Sequence, residues 1–252
     1  MLTKNQEKAI IDLHAKKGRA EQHCFIIEGI KPLEELAGGT VSARFLVIDE
    51  NRSCQPEIKS IIDRFNTLPC FSSRNFQRLS TMDTPEGILA VCVLPEPALP
   101  DEFTAEKKNL LAVYEINDPG NLGTIIRTAR WFGIDGIILI GNCTDPYAPK
   151  TVRSSMGAVL KMPICRVSNL NEIAAYLQDF YKIGSFVHSP HSSKSNGKER
   201  KILFLGSEAH GLPAEYEAKL DANYLIPAKT AFESLNIAVA AGIMLHQIFG
   251  TD

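Results

Sequence analysis

The chain has 252 residues and a mass of 27.8 kDa, and 44% of its residues are hydrophobic while 22% are charged. These values are typical of a globular protein, and the length favours two domains. The formal net charge of -2 excludes a strong overall electrostatic field, so total charge neither requires nor rules out a nucleic-acid partner.

Cysteine spacing and hydropathy exclude further classes. The six cysteines form no CxxC pair and have no histidine nearby at ligand spacing, which argues against a zinc site and against a disulfide framework. The longest apolar stretch falls short of the roughly 18 residues that span a bilayer, and the amino-terminal segment is charged and amphipathic, unlike a signal peptide. We therefore expect reduced thiols, no metal, no membrane association and a cytoplasmic location.

The first part of the chain alternates predicted helices and strands. Apolar residues at helical spacing among lysines predict a helix over residues 3–17, and CFIIEG predicts a short buried strand closed by glycine. The next predicted elements are a helix over 31–39, a strand over 43–49, a helix over 57–66 and a strand over 86–94. This alternation is typical of an α/β fold.

A proline-rich stretch follows these elements. Pro95, Pro97 and Pro100 cannot continue a helix or a central strand, and they predict a linker over residues 96–106. The linker separates a domain of residues 1–95 from a domain of residues 107–252. In the second domain the pattern predicts strands over 109–116, 133–141, 201–207 and 222–228, and helices over 124–132 and 238–250.

Polar residues occur in the second domain where predicted strands meet helices, namely at Asn121, Arg127, Glu208, Ser234 and Asn236. Such groups need partners when buried, and they often converge on a ligand. Taken singly, Asn121 also fits a helix cap and Glu208 a first-turn helix residue. The glycine turn DPGNLGT lacks the GxGxxG and GxxxxGKS fingerprints, which disfavours a dinucleotide oxidoreductase and a P-loop transferase.

Four motifs in one order carry a family resemblance. NLGTIIRTA, RSSMGAVLKMPI, GSEAHGL and IPA followed by ESLNIAVAA resemble the motifs of the SpoU (TrmH-like) RNA ribose methyltransferases of the SPOUT class, over roughly residues 110–248. The first hundred residues, with KKGRAEQHCFIIEG, more weakly resemble the small RNA-binding domain of that family. The sequence departs from the family in GSEA, where GNEG is common, and in IPAKT, where IPM-x-G is common.

The resemblance implies an α/β protein with two parts. The carboxyl-terminal part would be a SPOUT domain with a parallel sheet and a deep trefoil knot, and the smaller amino-terminal part would have an L30e-like fold. The implied activity is methyl transfer from S-adenosylmethionine to a ribose 2′-hydroxyl of ribosomal RNA. A transfer-RNA ribose methyltransferase and an RNA-binding factor with weak or no catalysis are the alternatives. We also expect a homodimer that pairs through the apolar helix around residues 238–245.

The resemblance also implies roles for the polar residues. Arg127 would hold the phosphate and hydroxyl beside the reacting ribose, Asn121 and Ser234 would orient the sugar, and Glu208 and Asn236 would brace Arg127 or the cofactor loop. The predicted cofactor-binding residues are Leu205, Gly206, Ser207, Glu208, Gly211, Ile226, Ala228, Ser234 and Leu235. The predicted RNA contacts are Lys16, Lys17, Arg19, Arg127 and Arg153, of which the first three lie on a basic amino-terminal helix and loop that also fit an ordinary solvated surface.

Overall fold

The structure is a computed structural model that describes residues 1–185, 192–193, 199–207, 210–227, 229 and 235–250. The chain divides into two compact units. Unit 1 comprises Met1–Glu96 together with Asp145–Lys161, and unit 2 comprises Pro97–Thr144 together with Met162–Asp252.

The helices and strands are numbered along the chain. Before Pro97 lie α1 (Lys4–Asp12), α2 (Lys16–Gln22), β1 (Cys24–Glu28), α3 (Ile30–Leu36), β2 (Ala43–Asp49), α4 (Pro56–Arg64), β3 (Cys70–Ser73), α5 (Phe76–Leu79) and β4 (Ile88–Val93). After it lie α6 (Pro100–Ala105), β5 (Asn109–Tyr114), α7 (Pro119–Trp131), β6 (Gly136–Ile140), α8 (Pro149–Ser154), β7 (Ile164–Val167), α9 (Asn171–Ala174), β8 (Phe180–Gly184), β9 (Ser192–Ser193), β10 (Arg200–Leu205), α10 (Ala214–Glu217), β11 (Ala222–Asn223) and α11 (Ile237–Phe249). Short 3-10 turns occupy Glu50–Arg52, Ala158–Leu160 and Ala175–Leu177.

Unit 1 is built on a four-stranded sheet in the order β1-β4-β2-β3. β4 runs antiparallel to β1 and β2, whereas β3 runs parallel to β2. Every residue of β1 is buried, and the strand packs into a core with apolar residues of α1 and α5. That core consists of Ile10, Leu13, Cys24, Ile26, Val47, Phe76, Leu79, Leu89 and Val91.

The segment predicted as a single amino-terminal helix forms two helices, α1 and α2. The Arg19 guanidinium explains the break, because its Nη1 donates to the carbonyl oxygens of Leu13 at 2.9 Å and His14 at 3.0 Å. Gly18 permits the close approach of the two helices, since a Cβ at this position would lie 2.0 Å from the Asp12 carbonyl oxygen.

The connection between β6 and β7 folds as part of unit 1, although both strands belong to the sheet of unit 2. We call residues 145–161 the crossover segment. Ion pairs hold both of its ends to the rest of unit 1: Arg19 Nη2 lies 2.6 Å from Asp145 Oδ2, and Lys161 Nζ lies 2.6 Å from Glu35 Oε2. The sequence-based domain of residues 107–252 did not anticipate this exchange, because it depends on contacts between residues far apart in the chain.

Within the predicted linker over residues 96–106, Pro100–Ala105 forms helix α6. Pro100 takes the first helical position, where proline is tolerated, so it begins this helix and does not break it. Phe103 on α6 is buried in the core of unit 2. The Arg200 side chain further ties α6 to β10 by donating to the carbonyl oxygens of Thr104 and Lys107.

Unit 2 is built on a sheet in the order β7-β6-β5-β10-β8-β11-β9. Neighbouring strands from β7 to β11 are parallel, and β9 pairs antiparallel with β11. The central strands β5, β6 and β10 are almost entirely buried, as expected for a parallel sheet covered on both faces. The strand predicted over residues 222–228 is wrong in length, since its ladder includes only Ala222–Asn223.

Candidate active site

The candidate site lies at the carboxyl edge of the unit 2 sheet. β5 and β10 are adjacent parallel strands, so both chains leave the sheet at the same edge, where open α/β sheets usually bind ligands. After β5 the chain enters α7, and after β10 it reaches Gly206 and Ser207, the second of which pairs with Gly211. The predicted residues Asn121 and Arg127 follow β5, those from Gly206 to Gly211 follow β10, whose last residue is Leu205, and those from Ile226 to Asn236 follow β11.

The amino-terminal ends of α7 and α11 are joined by two asparagines. Asn236 Nδ2 donates to Asn121 Oδ1 at 3.1 Å. Asn236 also caps α11, because its Oδ1 accepts from the backbone N–H groups of Ala238 at 2.9 Å and Val239 at 3.3 Å. Asp118 caps α7 in the same manner by accepting from Asn121 N at 2.8 Å. The structure therefore brings together Asn121 and Asn236, two of the predicted catalytic residues, at two positive helix ends that favour an anionic ligand.

The loop after β10 doubles back on itself. Ser207 and Gly211 form an isolated antiparallel bridge with hydrogen bonds of 3.0 and 2.9 Å. A Cβ at Gly206 would lie 2.1 Å from the Gly211 carbonyl carbon and 2.2 Å from Leu212 N, so only glycine fits there. Gly211 has a φ of +66°, which also favours glycine. The fold of this loop thus requires two of the predicted cofactor-binding glycines.

The other predicted cofactor-binding residues differ in their surroundings. Leu205 is buried at the end of β10, Ile226 is half-buried and Leu235 is exposed just before α11. The remaining predicted residues, Glu208, Ala228 and Ser234, lie outside the described residues.

Arg127 lies on a different face of α7 from Asn121. Six residues at 100° each place the two side chains about 120° apart around the helix axis. The Arg127 side chain is exposed, and it has no hydrogen-bond or ion-pair partner within the part of the chain that the structure describes. The structure therefore does not bring Arg127 to the asparagine pair within one chain, but it leaves the guanidinium accessible.

Tyr114, Glu115 and Tyr216 form an aromatic and acidic group at the same sheet edge that the sequence did not predict. Tyr114, the last residue of β5, contacts Tyr216 with ring centroids 5.5 Å apart. Burial, followed by the neighbouring Glu115 carboxylate, raises the pKa of Tyr114. Glu115 itself has a φ of +48°, which is uncommon for a residue with a side chain. The sequence around Tyr114 and Glu115 could not predict the contact with Tyr216, because Tyr216 lies about a hundred residues away in the chain.

The predicted RNA contacts of the amino-terminal helices require one correction. Lys16 and Lys17 are exposed on α2, and Lys17 is loosely paired with Glu21 at 3.7 Å. Arg19 is only 3% exposed, and its guanidinium is taken up by Asp145 and by two backbone carbonyls. The prediction that Arg19 contacts RNA is therefore wrong, since its donors face the protein interior.

Arg153 is exposed on α8 in the crossover segment. Its Nη1 donates to the carbonyl oxygen of Thr81 at 3.2 Å. Both residues line a shallow cleft in unit 1 together with Glu28, Met82 and three apolar residues, Ile26, Pro149 and Val152. The arginine that the sequence predicts as an RNA contact thus stands at the rim of a concave surface.

The described residues contain neither a metal-binding cluster nor a membrane-spanning helix. No group of three or more His, Cys, Asp or Glu side chains is arranged there to hold a metal ion. None of the helices in that part of the chain is long and apolar enough to cross a bilayer. All six cysteines are free, and Cys54 and Cys70 are the exposed ones.

Family models match most of the chain. The model described as the SpoU rRNA Methylase family matches residues 108–246, and the model of an MRM3-like substrate binding domain matches residues 4–90. The two matches are consecutive and correspond in sequence to the regions that the motifs separated.

Characterised relatives are similar over nearly the whole chain. The 23S rRNA (guanosine(2553)-2′-O)-methyltransferase RlmP of Bacillus subtilis is 32% identical, with 94% of this chain and 93% of the relative covered. The 23S rRNA (uridine(2479)-2′-O)-methyltransferase of Streptomyces viridochromogenes is 24% identical, with 96% and 87% covered. The crystal structure of an AdoMet-bound rRNA methyltransferase from Sinorhizobium meliloti superposes with a TM-score of 0.83 at 29% identity and covers 98% of this chain and 95% of its own.

Proposed function

The chain belongs to the SpoU rRNA methylase family, and from that premise we propose that it methylates a ribose 2′-hydroxyl of 23S ribosomal RNA. The methyl donor is S-adenosylmethionine. The observation that carries this proposal is the similarity to RlmP, which is named for 2′-O-methylation of 23S rRNA and aligns over 94% of the chain. A match to a substrate-binding domain in residues 4–90 supports an RNA substrate as well.

The loop after β10 fits a cofactor of this type. Gly206 and Gly211 let the backbone fold back on itself, with reciprocal hydrogen bonds of 3.0 and 2.9 Å between Ser207 and Gly211, and this supports a compact cofactor loop at the sheet edge. We assign Leu205, Gly206, Ser207 and Gly211 to the cofactor, with Glu208, Ile226, Ala228, Ser234 and Leu235 as the predicted remainder. When bound, S-adenosylmethionine would supply an electrophilic methyl group for the ribose oxygen.

Arg127 has the exposure that a phosphate-binding residue needs. An arginine side chain stays protonated in proteins, so we assign it the role of a donor that holds the RNA phosphate and polarises the neighbouring 2′-hydroxyl. Asn121 and Asn236 fix the position of the sugar, because their side chains hold each other and the start of α11. Glu208 and Ser234 retain their predicted roles in bracing Arg127 and orienting the sugar.

A homodimer would complete the site. Val239 and Ile243 are exposed one helical turn apart on α11, and Leu235 is exposed just before this helix, so the three form an apolar surface. Trp131 on the neighbouring helix α7 is 84% exposed. Arg127 precedes Trp131 by one helical turn, so dimerisation through this apolar surface would bring Arg127 to the interface. An interface above about 1,000 Å² is expected for a stable pair.

Three further features are proposed on the same ground. Residues 107–252 form the deep trefoil knot implied by the family resemblance. Lys16, Lys17 and Arg153 contact the RNA backbone, because all three are exposed and basic. The protein acts in the cytoplasm, because it modifies ribosomal RNA.

The proposed activity is tested with purified protein, S-adenosylmethionine labelled in its methyl group and 23S rRNA from cells that lack the gene. We expect label in the ribose 2′-O-methyl fraction, and calorimetric cofactor binding at about 1 to 100 μM, near the usual range for enzyme ligands. RNA binding without cofactor binding would favour the non-catalytic alternative, and labelling of transfer RNA in place of 23S rRNA would reassign the substrate.

A further inference from the structure

A buried carboxylate in unit 1 organises a single loop. Glu28 is the last residue of β1 and is 8% exposed. Its Oε1 accepts from the Ser80 hydroxyl, and its Oε2 accepts from the backbone N–H of Thr81 at 3.0 Å and from the Thr81 hydroxyl at 3.1 Å. A buried carboxylate is costly unless several donors surround it. Glu28 therefore fixes the position of Thr81 at both its backbone and its side chain.

Thr81 passes this constraint on to Arg153. The carbonyl oxygen of Thr81 accepts from Arg153 Nη1 at 3.2 Å. The Met82 N–H, which shares a peptide group with the Thr81 carbonyl, donates to the Ser80 hydroxyl at 2.9 Å, and this hydroxyl is held by Glu28. The direction of the Thr81 carbonyl is therefore fixed, and with it one end of the Arg153 guanidinium. Arg153 is exposed, so the guanidinium donors on the outer side of this contact face solvent at the rim of the cleft.

The cleft combines this oriented guanidinium with apolar walls. Ile26, Met82, Pro149 and Val152 line it beside the three polar residues. Donors from Ser80 and Thr81 already surround the Glu28 carboxylate, so an exposed guanidinium is the group left to bind a ligand. A guanidinium matches phosphate geometry. Ile26 and Val152 are only 3% and 2% exposed, so Arg153 is the group at this cleft that can bind the phosphate of a nucleic-acid strand.

We propose that this cleft is an RNA-backbone subsite, in which Arg153 contacts a phosphate and Glu28 is a positioning residue that orients Arg153 through Thr81. The inference rests on the proposed function, because it deepens the account of RNA binding. It also assigns a role to the crossover segment. The crossover segment folds with unit 1 and supplies Arg153 to the cleft. The other walls of the cleft include β1 and the loop after α5.

The experiment measures the affinity of the full-length protein for 23S rRNA from cells that lack the gene, over a range of salt concentrations. Arg153→Ala should weaken binding about tenfold and lower the salt-dependence slope by about one, as for the loss of one phosphate contact. Glu28→Gln replaces one carboxylate oxygen, which accepts hydrogen bonds, with an amide NH₂ group that can only donate and so cannot accept from the facing Ser80 or Thr81 donors. It should raise the RNA KM several-fold, because Arg153 loses its fixed direction, and it should leave cofactor affinity unchanged.

A double-mutant cycle separates positioning from general stability. If Glu28 acts through Arg153, Glu28→Gln should cause no further loss of RNA affinity when Arg153 is already alanine. Thr81→Val removes only the hydroxyl contact with Glu28, and its effect on RNA affinity should likewise disappear when Arg153 is alanine. This variant replaces Glu28→Gln in the cycle if Glu28→Gln lowers the melting temperature. Glu57→Gln changes an exposed carboxylate of the same unit and should have no effect.

Additive losses in the double variant, or an unchanged RNA KM in Glu28→Gln, would overturn the assignment of Glu28. Wild-type affinity in Arg153→Ala would overturn the subsite. These outcomes differ from failure of the proposed function, in which the wild-type protein itself neither binds nor methylates this RNA and the inference falls with it.

Discussion

The two units place their predicted functional arginines in opposite environments. Arg19 in unit 1 lies within a basic stretch of sequence, yet it is 3% exposed and donates to Asp145 and to two backbone carbonyls. Arg127 in unit 2 lies between apolar residues of its helix, yet its side chain is exposed. Sequence neighbours therefore do not decide whether an arginine is buried in an ion pair or exposed to a ligand. Contacts between residues far apart in the chain decide it.

The largest effect on stability should come from removing Arg19. Arg19→Ala leaves Asp145 and the carbonyls of Leu13 and His14 without their donor, and breaking a buried ion pair costs about 3–5 kcal/mol. Urea denaturation should show this loss as a lower midpoint. Lys17→Ala on the same helix is the matched control, because an exposed ion pair contributes about 0–1 kcal/mol. If Arg19→Ala and Lys17→Ala had the same urea midpoint, Arg19 would not stabilise the fold, and the contrast between Arg19 and Arg127 would be lost.

The largest effect on activity should come from removing Arg127. Arg127→Ala should lower methyl transfer about 100-fold or more, as for the loss of one transition-state electrostatic contact. The urea midpoint and the cofactor affinity should stay near wild type, because the side chain is exposed. Arg127→Lys should restore little activity, since a point charge cannot replace the bidentate guanidinium. Wild-type turnover in Arg127→Ala would show that this arginine, like Arg19, has no role in the chemistry.

A smaller change tests whether the exposed surface around Arg127 is an interface. Val239→Glu places a charge in the apolar surface of α11 and should convert the dimer to a monomer in light scattering at micromolar concentration. Leu99→Glu is the control, because Leu99 is also an exposed large apolar residue of unit 2 but lies away from α11 in sequence. A wild-type protein with the 27.8 kDa mass of a monomer would contradict the dimer.

The smallest effect concerns the surroundings of Asp145. Burial, with a further contribution from the Asp145 carboxylate, raises the pKa of Tyr147 from 10.0 to about 12. The unfolded state then loses this proton at a lower pH than the folded state, so Tyr147 contributes stability below pH 10 that is lost as the pH rises towards 12. Tyr147→Phe should flatten this part of the alkaline stability curve, measured by urea denaturation. A curve unchanged from wild type would mean that Tyr147 is better hydrated than its contacts indicate.

Elements with local signals were predictable from the sequence. The pattern predicted β5 over 109–116 and the structure has Asn109–Tyr114, and the predicted helix over 238–250 corresponds to α11 at Ile237–Phe249. The motif residues Asn121 and Asn236 were also identified, because polar groups beside apolar runs stand out. β3 and α5 were not predicted, since the half-exposed strand CFSS and a four-residue helix give little periodicity.

Contacts between residues far apart in the chain could not be predicted from the sequence. Arg19 and Asp145 are separated by 126 residues, and nothing near Arg19 in sequence indicates that a carboxylate from the crossover segment will reach it. The same limit applies to the exchange of the crossover segment between units and to the hydrogen bonds of Glu28 with the loop after α5. A buried acidic residue at a strand end can be recognised only when the loop that supplies its donors is placed in space.

Mapping of ribose methylation in 23S rRNA by mass spectrometry tests the central claim most directly. RNA is compared from cells with the gene, without the gene, and without it but carrying either the wild-type or the Arg127→Ala chain. We expect one ribose 2′-O-methyl group to disappear with the gene and to return with the wild-type chain but not with Arg127→Ala. Identical methylation maps in cells with and without the gene would contradict the assignment of this protein as a 23S rRNA ribose methyltransferase.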